Sequence, residues 1–170
     1  MHPQALAFYE ESLASLPPLK VVEFGSCQMF GSIRSVYPQA ISWLGLDIQD
    51  GPGVDIIQDA ATWTTDERFD LVICAEVFEH TPDWRGILAN AYSVLDEPGR
   101  LVASCATNER PPHSALDGGP LRDGEFYRNV PEDEMVEALN EIGFTSVVRT
   151  ADGHFGNDDL YIIATKGNDQ

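Results

Sequence analysis

The sequence has few basic residues and no long apolar run. Lysine and arginine together number 10, against 28 aspartates and glutamates, and the formal net charge is −18. A surface this acidic repels polyanions, so we expect no nucleic-acid partner and no binding to anionic membranes. No apolar run approaches the ~20 residues of a membrane-spanning helix. The amino terminus lacks a basic segment followed by an apolar one, so no signal peptide is predicted.

Cysteine is also scarce. The three cysteines, Cys27, Cys74 and Cys105, are odd in number and widely spaced. Cys74 and Cys105 lie in apolar predicted strands, where a free cysteine behaves as a small core hydrophobe. A reducing, cytoplasmic location is therefore expected.

The apolar content suits one globular domain over residues 1–170. Of the 170 residues, 43% are hydrophobic, which is ordinary for a chain with a real core. Apolar runs alternate with amphipathic segments, a pattern typical of a parallel sheet with right-handed crossovers. The predicted strands are Lys20–Phe24, Ile41–Ile48, Val54–Ile57, Phe69–Ala75, Arg100–Ala106, Phe144–Ala151 and Leu160–Lys166. The predicted helices are His2–Ser15, Ile33–Tyr37, Pro82–Leu95 and Pro131–Ile142.

Two connections depart from strict alternation. Only Gln49–Gly53 lies between strands two and three, which is too short for a helix. We expect a helix-free crossover there or, alternatively, an antiparallel pairing. The loop Asp152–Asp159 suits an antiparallel hairpin between the last two strands. The expected fold class is α/β, a Rossmann-like doubly wound sheet of about seven strands that is mostly parallel.

The first predicted strand organises the rest of the chain. Glu23 lies at its carboxyl end, and a carboxylate there is costly in a buried strand unless it meets a cation or hydrogen-bond donors. Gly25 follows, and it allows a ligand to approach the backbone. The next glycine is Gly31, so the turn lacks the three glycines of a GxGxxG pyrophosphate cradle. This weakens a nicotinamide or flavin interpretation, because the carboxylate would also repel a phosphate.

Motifs in a specific order carry a family resemblance across residues 20–166. They are Glu23-Phe24-Gly25, Asp47, Asp59-Ala60, Glu76-Val77-Phe78-Glu79-His80 and Leu95-Asp96-Glu97-Pro98-Gly99-Arg100-Leu101. In this order they resemble a class I S-adenosylmethionine-dependent methyltransferase of the small-molecule, type 11 kind. The GPGVD and RPPH segments resemble a bacterial or phage subgroup.

The resemblance implies S-adenosyl-L-methionine as the cofactor. Glu23 would face its α-ammonium group, Asp47 would accept from the ribose hydroxyls, and Asp59 would accept from the adenine amino group. Cys27 and Met29 depart from the family, which usually has glycines there. The residues assigned to the cofactor are Glu23, Gly25, Ser26, Asp47, Ile48, Asp59, Ala60, Ala75 and Glu76.

Two histidines are the candidates for a general base. His80 follows strand four, and its ordinary pKa lies near neutrality. The alternative is that His80 braces the next helix with Glu79 as its partner. His113 is the second candidate, and its alternative is a solvated loop residue. Glu79, His80 and His113 have no recognisable metal-ligand spacing, so no metal site is predicted.

Residues 107–130 are expected to form a lid over the substrate. Their local excess of basic residues suggests an anionic acceptor. The alternative is that these arginines pair with nearby acids and only hold the loop in place. The residues assigned to the substrate are Arg110, Arg122, Tyr127 and Arg128.

Methyl transfer to a small-molecule acceptor is the function these observations favour. A non-catalytic S-adenosylmethionine-binding scaffold or partner subunit is the alternative, because the Gly25–Gly31 turn is irregular and the crossover is short. A Rossmann oxidoreductase is third: Asp47 lies at a workable distance from Gly25 for a ribose, but two glycines are missing.

Overall fold

The computed structural model describes residues 2–28, 31–150 and 158–167, with side chains except at 146–150. The helices are α1 (Pro3–Leu13), α2 (Trp84–Val94) and α3 (Glu132–Ile142). The strands are β1 (Lys20–Phe24), β2 (Ser42–Asp47), β3 (Ile56–Ile57), β4 (Phe69–Ala75), β5 (Leu95–Ala106), β6 (Thr145–Thr150) and β7 (Asp159–Lys166).

These strands form one sheet in the order β3-β2-β1-β4-β5-β7-β6. The first five strands in this order are parallel to one another, whereas β7 is antiparallel to both β5 and β6. The predicted Rossmann-like fold class is therefore confirmed, including the antiparallel pair at the carboxyl-terminal end. Asp152–Asn157 of the predicted hairpin loop, and Ala151 of the predicted strand, lie outside the described residues.

The crossover from β2 to β3 has no helix, and the two strands are parallel. The alternative of an antiparallel pairing was wrong. Gly45 makes the short crossover possible, because a Cβ at this position would lie 2.1 Å from the Gly53 carbonyl oxygen. The Asp55 carboxylate then accepts a hydrogen bond from the Gly45 amide at 2.7 Å. The crossover thus lies directly on the strand, close to the carboxyl edge of the sheet.

The prediction of an α-helix over Ile33–Tyr37 was wrong. Only a single 3-10 turn forms, over Ile33–Ser35, begun by the Ser32 side chain, which accepts from the Arg34 amide. Pro38 disfavours helical geometry in the residue before it, and the Tyr37 hydroxyl donates to the Pro17 carbonyl instead. The chain therefore turns back toward β2 after one turn.

Two apolar cores cover the two faces of the sheet. Successive side chains of a strand point to opposite faces, so Val22 packs with α2 and α3 while Val21 packs with α1. Cys74 and Cys105 are fully buried, as expected for small core hydrophobes. Within the described ranges, no helix combines the length and the apolar character needed to cross a bilayer. The layers leave the carboxyl edge of the parallel strands open.

Candidate active site at the carboxyl edge of the sheet

A cavity of about 970 Å³ lies at the carboxyl ends of β1, β2 and β4. This is the upper end of the ~300–1,000 Å³ typical of ligand sites. It lies where the strand order reverses between β1 and β4, the usual position for ligands in open α/β sheets. The predicted site residues that line it are Glu23, Gly25, Ser26, Asp47, Ile48, Asp59, Ala60, Ala75, Glu76, His80, Arg110 and His113.

The end of β1 presents a buried carboxylate. Glu23 is 5% exposed, and it accepts a hydrogen bond from the Trp43 indole Nε1 at 2.9 Å. Burial raises the pKa of this carboxyl group to about 7, against the opposing effects of Trp43 and Arg34. The site therefore contains a carboxylate that a cationic ligand group would stabilise.

Gly25 forms the turn that follows. Its φ is +78°, a conformation that favours glycine, and a Cβ there would lie 2.2 Å from the Val77 Cγ2 atom. The Gly25 and Ser26 amides both donate to the Leu46 carbonyl at 2.9 Å, which fixes the turn against β2. Ser26 is 1% exposed, and its hydroxyl has no hydrogen-bond partner in the described ranges.

Backbone amides orient the next two acids. Asp47 accepts from the Cys27 amide through Oδ2 and from the Gln49 amide through Oδ1, both at 3.0 Å. Asp59 accepts from the Ala61 amide at 2.8 Å. A carboxylate has about four acceptor positions, so each side chain is held in place and still has positions left for hydroxyl or amino donors.

A network of charged side chains surrounds the end of β4. Glu76 has a positive φ of 56° and accepts from the Ser104 hydroxyl at 2.7 Å. Asp159 pairs with Arg110 and, at 2.8 Å, with His2 Nε2. Burial tends to raise the pKa of Asp159, but the hydrogen bonds and charges of His2 and Arg110 keep it below the ordinary value.

Sequence reasoning missed His2, Trp43 and Val77. The stretch 111–120 that lines the cavity falls within the predicted lid, residues 107–130. His2 comes from the amino terminus and Asp159 from β7, so no local pattern joins them. Gly45 of β2 is paired with Glu23 of β1, and Trp43 lies two residues before Gly45, on the same face of the sheet. This spacing is the one sequence signal that would have placed the Trp43 indole near Glu23.

The two predicted catalytic histidines lie side by side. The ring centroids of His80 and His113 are 5.1 Å apart, and the Tyr127 ring packs against both. Burial, and then the neighbouring His113, lower the pKa of His80 to about 4, so its imidazole is neutral near neutral pH. Glu79 accepts its hydrogen bond from the Ala106 amide at 3.2 Å, and not from His80.

Three of the residues predicted to bind substrate are placed elsewhere. Arg122 pairs with Asp117, and Arg128 pairs with Glu134, so the alternative in which arginines hold the loop through nearby acids describes Arg122. The Tyr127 hydroxyl donates to Asn129 at 3.0 Å. None of Arg122, Tyr127 and Arg128 lines the described cavity.

Residues 8–149 match the methyltransferase domain family. A curated relative, 6-hydroxymellein synthase of Talaromyces verruculosus, is 28% identical over 171 residues. The alignment covers 91% of this chain but 6% of the synthase, so the chain spans only a small part of that relative.

Several solved structures share the fold. The 1,6-didemethyltoxoflavin-N1-methyltransferase of Burkholderia thailandensis, with bound 1,6-didemethyltoxoflavin and S-adenosylhomocysteine, has a TM-score of 0.70 and 19% identity, covering 98% of this chain and 78% of that one. The N-methyltransferase NodS of Bradyrhizobium japonicum, in complex with S-adenosylhomocysteine, has a TM-score of 0.67 and 17% identity, covering 97% and 86%. Magnesium protoporphyrin IX methyltransferase of Synechocystis, with bound S-adenosylmethionine, has a TM-score of 0.62 and 17% identity, covering 95% and 76%.

At these identities the structures show a common fold, and the family is shown by the match across residues 8–149. The predicted recognition is confirmed at that level, while the bacterial or phage subgroup stays a prediction. The chain therefore belongs to the methyltransferase domain family, within the class I S-adenosylmethionine-dependent methyltransferases.

Proposed function

We propose that this chain transfers the methyl group of S-adenosylmethionine to a small-molecule acceptor in the same cavity. The observation that carries the proposal is the convergence of Glu23, Asp47 and Asp59 on one cavity at the ends of adjacent strands. Three acids in this arrangement suit a ligand with an ammonium group, a diol and an aromatic amine, as S-adenosylmethionine has.

The residues of the cavity fit this cofactor. Glu23 is a buried carboxylate that accepts from the neutral Trp43 indole, and an α-ammonium group would supply the positive charge that pairs with it. The Ser26 hydroxyl, in the turn that follows β1, can form a hydrogen bond with the ligand. Asp47 would hold the ribose hydroxyls, and Asp59 with the backbone of Ala60 would hold the adenine. The methionine, sugar and base portions thus each have an acidic partner.

The protein's part in the reaction is to orient the two reactants. When bound, S-adenosylmethionine supplies a methyl group already activated by a sulfonium. Holding a nucleophile in line with such a carbon accounts for much of the rate of this kind of reaction. Ala75 and Glu76 line the cavity at the end of β4, and the Ser104 hydroxyl donates to the Glu76 carboxylate.

Residues 107–130 are proposed as the lid that covers the acceptor. His113 and the neighbouring stretch 114–120 line the cavity, and the Arg128 amide donates to the Glu79 carbonyl at 2.8 Å, which ties the segment to the end of β4. His80, neutral near neutral pH, or His113 in its place, would take a proton from an acceptor that arrives protonated.

We keep an anionic acceptor in the proposal, with one arginine in place of three to bind it. Of the predicted arginines, Arg110 is the one in the described cavity wall, and its guanidinium is already paired with Asp159. An anion would therefore have to share that guanidinium. The proposal also places the protein in the cytoplasm, in keeping with three free cysteines.

The first experiment measures binding and transfer separately. Titration with S-adenosylhomocysteine, followed by calorimetry and thermal unfolding, is expected to show one site per chain and a raised Tm. No binding at millimolar ligand would contradict the proposal. Incubation with methyl-labelled S-adenosylmethionine and a panel of hydroxyl, amine and carboxylate acceptors then tests transfer. Binding without transfer to any acceptor would favour the non-catalytic scaffold, the second candidate.

A further inference from the structure

The cavity wall contains three potential metal ligands that the sequence spacing did not connect. Glu79, His80 and His113 each offer a ligand atom, and these atoms all lie within 4.8 Å of one another. We propose that these three side chains form a binding site for a divalent transition-metal ion beside the acceptor position. Two imidazoles and one carboxylate are ligands typical of such ions, and they leave coordination positions open.

Glu79 is the strongest observation for this site. The residue is 0% exposed, its Oε1 accepts from the Ala106 amide, and its Oε2 has no partner among the residues that the structure describes. A buried carboxylate with one oxygen unsatisfied is costly unless it is protonated or meets a cation. A metal ion held with the two neighbouring histidines would satisfy it.

The two histidines have the ring orientation that metal ligands need. His113 Nδ1 lies 3.1 Å from the Pro111 carbonyl, so the proton belongs on Nδ1 and the Nε2 lone pair is available. His80 Nδ1 is buried and has no partner within the described part of the chain, and the Phe126 backbone accepts a hydrogen bond from the ring. Metal-binding histidines are held in this way, with the second ring nitrogen donating to a carbonyl group.

A second cluster in the same cavity already has partners for its charges, and we call it the satisfied cluster. His2, Glu76 and Asp159 also bring ligand atoms within 4.8 Å of one another. There, however, Arg110 is already the cation, paired with Asp159 and 3.6 Å from Glu76. The Ser104 hydroxyl completes the contacts of Glu76. No added ion is needed, so this cluster supplies the control.

The site would also explain how an acceptor is activated, and this second half of the proposal rests on the proposed function. His80 and His113 line the cavity, so the open coordination positions would face the acceptor. A hydroxyl bound to a divalent cation loses its proton more readily than a free one. With the ion bound, that proton would pass to solvent water, and the two imidazoles would serve as ligands in place of the base role proposed above. The site would therefore select acceptors with an oxygen donor.

Metal binding is tested on the full chain without a purification tag and without cofactor. After chelator treatment and its removal, Zn²⁺ titration by calorimetry is expected to show one ion per chain, and Co²⁺ is expected to give visible bands of a low-coordination site. His80→Ala, His113→Ala and Glu79→Gln should each weaken Zn²⁺ binding by about 100-fold. His2→Gln, in the satisfied cluster, should leave the affinity within about twofold.

Circular dichroism and S-adenosylhomocysteine binding identify any variant that fails to fold. His80→Ala/His113→Ala, if folded, should bind no Zn²⁺ at the site. Absence of Zn²⁺ binding by the wild type at millimolar concentration would overturn the proposal, as would unchanged affinity in the folded double variant. Because S-adenosylhomocysteine binding is measured separately, failure of the metal site and failure of the proposed function are distinguishable.

The open positions are tested with acetohydroxamate, a bidentate oxygen donor. Its addition to the Co²⁺-loaded protein should shift the visible bands if exogenous oxygen atoms reach the ion. Bands that do not change at saturating acetohydroxamate would overturn the inference that the metal binds the acceptor.

Discussion

The two halves of the cavity are built in different ways. In the proposed cofactor half, the acids Glu23 and Asp47 end parallel strands, and Asp59 follows the next one. In the proposed acceptor half, the side chains come from distant parts of the chain: His2, Glu79, His80, Arg110, His113 and Asp159. Strand register sets the first half, whereas long-range packing and a loop without regular structure set the second.

The difference separates what the family shares from what distinguishes this member. Strand ends of a common fold fix the positions for a common ligand, while loops that follow the strands vary and determine the chemistry. Changes in the cofactor half are therefore expected to affect S-adenosylhomocysteine affinity. Changes in the acceptor half are expected to affect stability, metal binding or transfer instead.

The largest effect on affinity is expected from Gly25→Ala. The new Cβ would lie 2.2 Å from Val77 Cγ2 in a backbone with φ +78°, so the turn beneath the cofactor must shift. S-adenosylhomocysteine affinity, measured by calorimetry, should fall at least about 100-fold. Gly124→Ala is the matched control, because φ is +89° there but no atom of the described residues lies within 4 Å of the added Cβ. Wild-type affinity in Gly25→Ala would contradict the proposed turn.

Arg110→Ala should instead reduce stability. It leaves Asp159, whose side chain is 4% exposed, without its guanidinium, and removing one partner of a buried pair is strongly destabilising. Urea unfolding should show a loss of about 2–3 kcal/mol. Arg122→Ala removes a pair whose members are 51% and 48% exposed, so its free energy of unfolding should change by less than about 0.5 kcal/mol. Equal losses in both variants would argue against the acceptor-half network.

Asp47→Ala tests the ribose position. Losing the hydrogen bonds of one carboxylate should weaken S-adenosylhomocysteine binding by about 10- to 30-fold. Asp47→Asn should recover part of this loss, because its amide oxygen can still accept from the Cys27 amide. Asp66→Ala, at an exposed loop position away from the described cavity lining, is the control. A result in which Asp47→Ala and Asp66→Ala bind alike would exclude Asp47 from the site.

A pH dependence is expected from Glu23. Burial raises the pKa of this group to about 7 in the free protein, so it is mainly protonated below that pH and mainly ionised above it. Pairing with an ammonium group needs the ionised form, so S-adenosylhomocysteine affinity should rise about tenfold between about pH 6 and about pH 8. Glu23→Gln should bind weakly across this range and remove the dependence. An unchanged slope in Glu23→Gln would assign the titration to another group.

The cofactor half was predictable because strand ends are local features. The apolar run Phe69–Ala75 is followed directly by the charged Glu76, so the sequence shows where the strand ends. The structure places β4 over those same residues. Parallel strands bring their carboxyl ends to one edge, so the sequence alone predicts that Glu23, Asp47 and Asp59 share a cavity. The helix Ile33–Tyr37 failed because Pro38 and a tyrosine contact override a short local pattern.

The acceptor half was not predictable to the same extent. Nothing near His2 in the sequence indicates that it reaches Asp159 in β7. The sequence gives no reason to treat the arginines of the 107–130 segment differently from one another. In the structure, however, Arg110 lines the cavity while Arg122 pairs with Asp117. The approach of Glu79, His80 and His113 depends on how that segment folds back over β4. These positions are set by tertiary packing, which a single sequence pattern does not encode.

A crystal structure with bound S-adenosylhomocysteine tests the central claim most directly. The account predicts the amino group of the ligand within hydrogen-bond distance of Glu23, the ribose hydroxyls at Asp47, and the adenine beside Asp59. A ligand bound elsewhere, with no contact to any of these three acids, would contradict it.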